Sequence, residues 1–237
     1  DMLRPGDWIT MTKYGADGYV IEVSLRKEAE QYFRKQMDLL KNAGFDALGI
    51  GSMEEPGFLK EAGIGLPLFF DQGMYSWNHL AGEAMEQYGA DRLTVPVELN
   101  EREIRDSGIH GEMIVYGYLP MMISAQCIRK TTLGCSGKPE IMWLKDRKEM
   151  RFPVVNQCRF CYNTIYNSAP LSLLGLSASV EGLGPKALRL NFTVEEPAAA
   201  GEILDAFFEE YALGEKAAEP SVLKNQFTRG HFKRGVE

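Results

Sequence analysis

Four cysteines, Cys127, Cys135, Cys158 and Cys161, are the residues best suited to chemistry in this 237-residue chain. Their gaps are seven, twenty-two and two residues, and no cysteine occurs outside this stretch. A Cys-x-x-Cys pair holds two sulfurs near metal-coordination spacing on one turn of backbone. Two more thiolates complete a tetrahedral zinc site or a [4Fe–4S] cluster. The same residues also fit a redox-active Cys-x-x-Cys or inert core thiols. Spacing does not separate zinc from iron–sulfur. The first two gaps match no common zinc ribbon, in which both knuckles have two-residue gaps.

Other side chains suggest acid–base or nucleophilic work. Glu98 follows Val95-Pro96-Val97 at the end of an expected strand, where βα enzymes place active groups. It equally suits a helix N-terminus beside Asn100. Ser124 precedes Cys127 by three residues, at the end of an expected strand where βα enzymes place active groups, and is a candidate nucleophile. A serine or cysteine protease needs a base beside the nucleophile, and only His79, His110 and His231 are available. None is near Ser124 in sequence, and no His-Glu-x-x-His zinc motif exists. Tyr116 and Tyr118 can line a pocket or pack in the core. Asn163 and Asn167 can bond a substrate or a buried backbone group. Asp146-Arg147 reads as a turn with a structural ion pair. His231, with Arg229, Lys233 and Arg234, forms either an anion-binding tail or a solvated basic terminus.

These residues need elements to carry them. Residues 8–25 read as an extended pair around turn residues Gly15, Asp17 and Gly18. Glu28–Ala43 has helical spacing, and Gly44 stands where a C-terminal cap belongs. Short apolar strands are expected at 47–50, 66–70, 92–97 and 113–116. Helices are expected at 54–62, 77–88 and 101–106, the last opened by Asn100. Alternating helices and continuous apolar strands predict an α/β chain, a partial βα barrel over residues 1–126. A full eight-fold barrel needs about 200–250 residues. After Cys127 an α+β segment is expected over 127–214. Residues 130–140 read as loop, and 141–144 pairs antiparallel with 151–155. A small apolar stretch at 171–180, a strand at 187–194 and a helix at 198–211 follow. Residues 215–237 read as linker and basic tail.

The totals bound the function. The chain is 45% hydrophobic and 25% charged, ordinary values for a globular domain. Its net charge of −7 argues against broad non-specific nucleic-acid binding but leaves room for a local basic groove. No apolar run approaches the roughly 18–20 residues that span a bilayer. The start, Asp1-Met2-Leu3-Arg4-Pro5, lacks an initiator Met and a secretory core, so an excised piece of a longer protein is expected. With no targeting segment visible, the expected compartment is the cytoplasm, where cysteines are more often ligands or catalytic groups than disulfides.

One run is specific. Tyr116-Gly117-Tyr118-Leu119-Pro120-Met121-Met122-Ile123-Ser124-Ala125-Gln126-Cys127 resembles the Tyr-Gly-x-x-Pro-x-Met-x-Ser-x-x-Cys signature of the U32, or collagenase-like, peptidase family. Similar motifs follow in the family's order at 144–147, 152–154, 162–168 and 228–235. Upstream, Tyr75-Ser76-Trp77-Asn78 and Val97-Glu98-Leu99-Asn100 resemble the family's asparagine and Glu-Leu positions. The resemblance covers roughly residues 40–237 and looks like the C-terminal half of a longer member, with the N-terminal half as its missing partner. It implies either a peptidase without an established nucleophile, or an enzyme that hydroxylates RNA bases or a quinone precursor with a [4Fe–4S] cluster on four cysteines. Peptide and RNA both remain open as substrates. It marks Cys127 directly, and Asn78 as a substrate-binding candidate. The Cys-x-x-Cys at 158–161 departs from the spacing in some members. A non-catalytic fragment stapled by its cysteines is the third reading.

Overall fold

A computed structural model describes residues 8–14, 18–24, 37–38, 40–42, 44–158, 161–224 and 226–235, with backbone alone at 8–14 and 18–24. The chain divides into two compact units, residues 1–48 with 53–67, and residues 49–52 with 68–237.

The first unit holds the expected hairpin. Strands β1 (Trp8–Tyr14) and β2 (Gly18–Ser24) pair antiparallel, Trp8 opposite Ser24. Most of the helix expected at Glu28–Ala43 lies outside the described residues; 37–38 and 40–42 are helical. Helix α1 (Glu55–Glu61) has Pro56 in its first turn, where a missing N–H costs nothing.

The second unit is built on parallel strands. They are β3 (Leu48–Ile50), β4 (Leu68–Phe70), β5 (Arg92–Leu93) and β6 (Glu112–Gly117). Strand β3 lies beside β4, which pairs parallel with β5. A parallel bridge from Thr94 to Glu112 joins β5 to β6. On its other side β6 takes β12 (Ala187–Asn191), also parallel. Strand β11 (Leu171–Ser172) runs antiparallel along the end of β6. Helices α2 (His79–Gln87) and α3 (Glu101–Ser107) connect consecutive strands. Helices α5 (Ser177–Glu181) and α6 (Pro197–Tyr211) flank β12 in sequence. This is an α/β fold with a parallel sheet, as the strand–helix alternation predicts.

Strand β6 is its centre. Residues 113–117 are all buried, the continuous apolar run that a strand covered on both faces requires. Tyr116, Phe70, Ile50, Leu173 and Ile203 are among the largest fully buried side chains. Ile203, Ala206 and Phe207 give α6 a buried stripe at three- and four-residue spacing. The strand expected at 92–97 stops early. Pro96 has no N–H to donate to a ladder, and the chain turns there with Leu99 N–H on Pro96 C=O at 3.3 Å.

Between β6 and β11 the chain makes a separate four-stranded antiparallel sheet, in the order β7 (Pro120–Ser124), β10 (Tyr162–Tyr166), β9 (Arg151–Gln157), β8 (Ile141–Lys145). The expected β8–β9 pairing is present, Ile141 opposite Val155. Asp146 Oδ1 organises its turn, accepting from Lys148 and Met150 N–H at 2.8 and 2.9 Å. The ion pair there is Lys145–Glu149. The short helix α4 (Ile128–Leu133) occupies the start of the stretch read as loop. Among the described residues no helix is long and apolar enough to cross a membrane.

Candidate functional site

The antiparallel sheet brings all four cysteines around one cavity of about 260 Å³. Cys127 caps the N-terminus of α4, its Sγ accepting from Lys130 N–H at 3.4 Å. Cys135 lies just beyond α4 and is exposed. Cys158 follows β9 and donates from Sγ to Lys138 C=O at 2.9 Å. Cys161 opens β10 with φ 57°, in the left-handed region that non-glycine residues rarely enter. Such a conformation costs about 1–2 kcal/mol. Burial pushes the Cys158 thiol up, and the Cys135, Cys127 and Cys161 thiols add to the shift. Among the described residues no three His, Cys, Asp or Glu side chains gather tightly enough to enclose one metal ion. The four thiols ring a cavity rather than converge on a point.

Two buried asparagines support this wall. Asn163 on β10 donates from Nδ2 to Gln126 C=O at 2.7 Å, holding the backbone just ahead of Cys127. Asn156 on β9 lines the cavity and accepts at Oδ1 from Glu140 N–H. Glu140 in turn pairs with Arg129 of α4 at 3.2 Å.

The family model for peptidase family U32 matches residues 10–193. The chain belongs to peptidase family U32. No curated protein and no solved structure matches it.

The other candidate residues of this U32 chain do not gather at the thiols. Glu98 follows Thr94 on the C-terminal side of β5, half-buried and unpaired among the described residues. Ser124 ends β7, in the antiparallel sheet, and its hydroxyl makes a local turn with Gln126 N–H at 3.3 Å. Asn78 is the N-cap of α2, its Oδ1 accepting from Ala81 N–H at 3.0 Å. Asn167 bonds its neighbour, Oδ1 accepting from Ser168 N–H at 2.8 Å. His231 has Nδ1 on Gly235 C=O at 2.8 Å, and His110 has Nδ1 on Leu183 C=O at 3.0 Å. The tail around His231 is packed into the fold. Phe232 is buried, Arg229 donates to the carbonyls of Ser172 and Leu174 at 2.7 and 2.6 Å, and Lys233 pairs with Glu101 at 2.9 Å.

Tyr116 is fully buried, with ring centroids 5.6 Å from Phe192 and 6.0 Å from Phe207. Tyr118 follows it beyond the C-terminal end of β6. Both phenols are held above the ordinary tyrosine value, by burial first and then by Glu195. Glu195 lies beyond β12; its Oε2 accepts from Thr193 and Val194 N–H at 2.7 and 2.9 Å. Its Oε1 is buried without a hydrogen-bond partner among the described residues. Reading the sequence missed both Asn156 and Glu195. Asn156 sits two residues before Cys158, a cue for a neighbouring role. Glu195, in an acidic pair before a proline, had no cue.

Proposed function

We propose that this chain is a U32 enzyme built around a [4Fe–4S] cluster held by Cys127, Cys135, Cys158 and Cys161, with peptide hydrolysis, the activity that names the family, as its reaction. The cluster reading is carried by one observation: all four cysteines of the chain line the same cavity. A single zinc ion draws four sulfurs to about 2.3 Å from one point. A cavity of about 260 Å³ between the thiols is far larger than such a site and suits a polynuclear group. The donor set is four soft thiolates, the set that iron–sulfur clusters use. Lys130 is the one cation among the described residues that line the cavity. When bound, the cluster supplies one-electron redox chemistry or electrostatic tuning.

The hydrolytic half of the proposal rests on family membership. Glu98 is the side chain best placed to act as base on water, being unpaired on the C-terminal side of β5. Tyr118 and Asn167 lie beyond the same ends of the strands and are substrate-binding candidates. Ser124 has a hydrogen bond to Gln126 and, among the described residues, none to a histidine, which weighs against a serine nucleophile. A second reading is modification of an RNA base or a small molecule. The same thiol cavity favours it, because hydrolysis needs no redox group.

Anaerobic reconstitution of the chain with iron and sulfide tests the cluster. The expected result is four iron and four sulfide per chain and visible charge-transfer absorption, both lost in Cys127→Ala. A colourless protein with one zinc per chain sinks the cluster. The two reactions separate by assay of Glu98→Gln. Peptidolysis that falls at least tenfold supports hydrolysis. Peptidolysis unchanged by Glu98→Gln, Ser124→Ala and Cys127→Ala points to a contaminant. A base modification missing from RNA of a deletion strain then favours the second reading.

A further inference from the structure

The sheet that carries the cysteines buries two asparagines directly opposite each other. Asn156 on β9 and Asn163 on β10 are cross-strand partners, and both are 0% exposed. A carboxamide brings two donor hydrogens and one acceptor oxygen. Leaving a buried one unpaired costs about 1–3 kcal/mol. Asn163 spends its Nδ2 on Gln126 C=O. Asn156 spends its Oδ1 on Glu140 N–H. Among the described residues, Asn156 Nδ2 and Asn163 Oδ1 are left without partners. The Asn156 amide is not turned over, because that would set its NH₂ against the N–H of Glu140. The unpaired group of Asn156 is therefore a donor. Asn156, unlike Asn163, lines the thiol cavity.

We propose that Asn156 is a positioning residue whose Nδ2 donates a hydrogen bond to a sulfur of the group held by Cys127, Cys135, Cys158 and Cys161, and thereby raises its reduction potential. The inference rests on the [4Fe–4S] reading above. Among the described residues no acceptor meets this donor, and a thiolate or sulfide sulfur in the cavity that Asn156 lines can. Reduction adds negative charge to the cluster. An N–H aimed at a sulfur stabilises the more negative state more, so the potential rises. The hydrogen bond to Glu140, itself paired with Arg129, holds the amide in place. The rival acceptor is Asn163 Oδ1 on the facing strand.

The test is a redox titration of the anaerobically reconstituted chain, followed by EPR, for the wild type and Asn156→Leu. The expected result is unchanged iron and sulfide content with a midpoint potential shifted to more negative values. An unshifted midpoint with the cluster intact overturns the inference, while the cluster reading survives. A wild-type chain that takes up no iron overturns both. Asn156→Leu also removes the acceptor for Glu140 N–H, so it can fail to fold. Pulsed EPR on the reduced wild-type cluster, with ¹⁵N confined to asparagine, covers that case. An asparagine nitrogen coupled to the cluster supports the hydrogen bond, and its absence overturns it.

Discussion

Tyr116 shows how one residue can be called by two roles and be held by packing. It opens the family signature, yet its ring lies between Phe192 and Phe207 with no exposed surface. Burial first, and Glu195 second, keep its phenol protonated; Tyr118 and Tyr166 are raised in the same direction, again by burial first. An unfolded tyrosine ionises near pH 10. The folded chain therefore keeps protons that the unfolded chain releases above that pH. This contribution to stability is complete below about pH 10 and is lost as pH rises towards the folded values. Urea unfolding midpoints should fall more steeply above about pH 10 than between about pH 7 and 9. Tyr116→Phe should make that fall shallower. An identical slope in wild type and variant would remove Tyr116 as its source. At this scale the cysteines were legible, because type and spacing are written in the chain. Asn156 was not, because its meaning lies in an unpaired amide that exists only once β9 is buried.

Elements are held by contacts that single substitutions can probe. Gly117, the second residue of the signature, has φ 146° at the end of β6. A Cβ there would lie 2.5 Å from Asn191 O and 2.9 Å from Asn191 Cβ. Both atoms belong to β12, so the glycine lets two parallel strands approach. Gly117→Ala is expected to cost about 2–4 kcal/mol in urea unfolding, from strain and overpacking together. Gly137→Ala is the control. It has φ 69° but open space around it, and should cost only about 1 kcal/mol. A smaller loss at Gly117 than at Gly137 would refute the close approach. Helix α3 was readable because its cue is local. Asn100 Oδ1 accepts from Glu103 N–H at 2.9 Å, and Glu103 returns a bond to Asn100 N–H at 2.8 Å. Strand β7 was not. Met121, Met122 and Ile123 are all more than half exposed, so no buried–exposed alternation marks the strand.

Across the whole second unit, Arg189 of β12 ties distant segments together. Its guanidinium donates to Asp71 beyond β4 at 2.7 Å, to Thr94 beyond β5 at 3.1 Å, and to Glu112 of β6. Removing it strands the mostly buried Glu112 carboxylate. Arg189→Leu is expected to lose about 3 kcal/mol in urea unfolding. Arg189→Lys should recover only part of this, since an ammonium cannot reproduce the planar fork. Full stability in Arg189→Leu would show the network to be dispensable.

The sequence by itself determined the α/β class, the β8–β9 hairpin, the cap at Asn100 and the four thiols as one group. Each follows from neighbours in the chain: apolar runs, turn residues, a capping spacing, a cysteine cluster. The tertiary structure alone decided that β12 returns to β6 after some seventy intervening residues, with the cysteine sheet inserted between them. It alone set Asn156 against the thiols and Glu195 against Tyr116. Those pairings join residues far apart in sequence, and the closed chain, not the local pattern, determines which buried polar group is left without a partner.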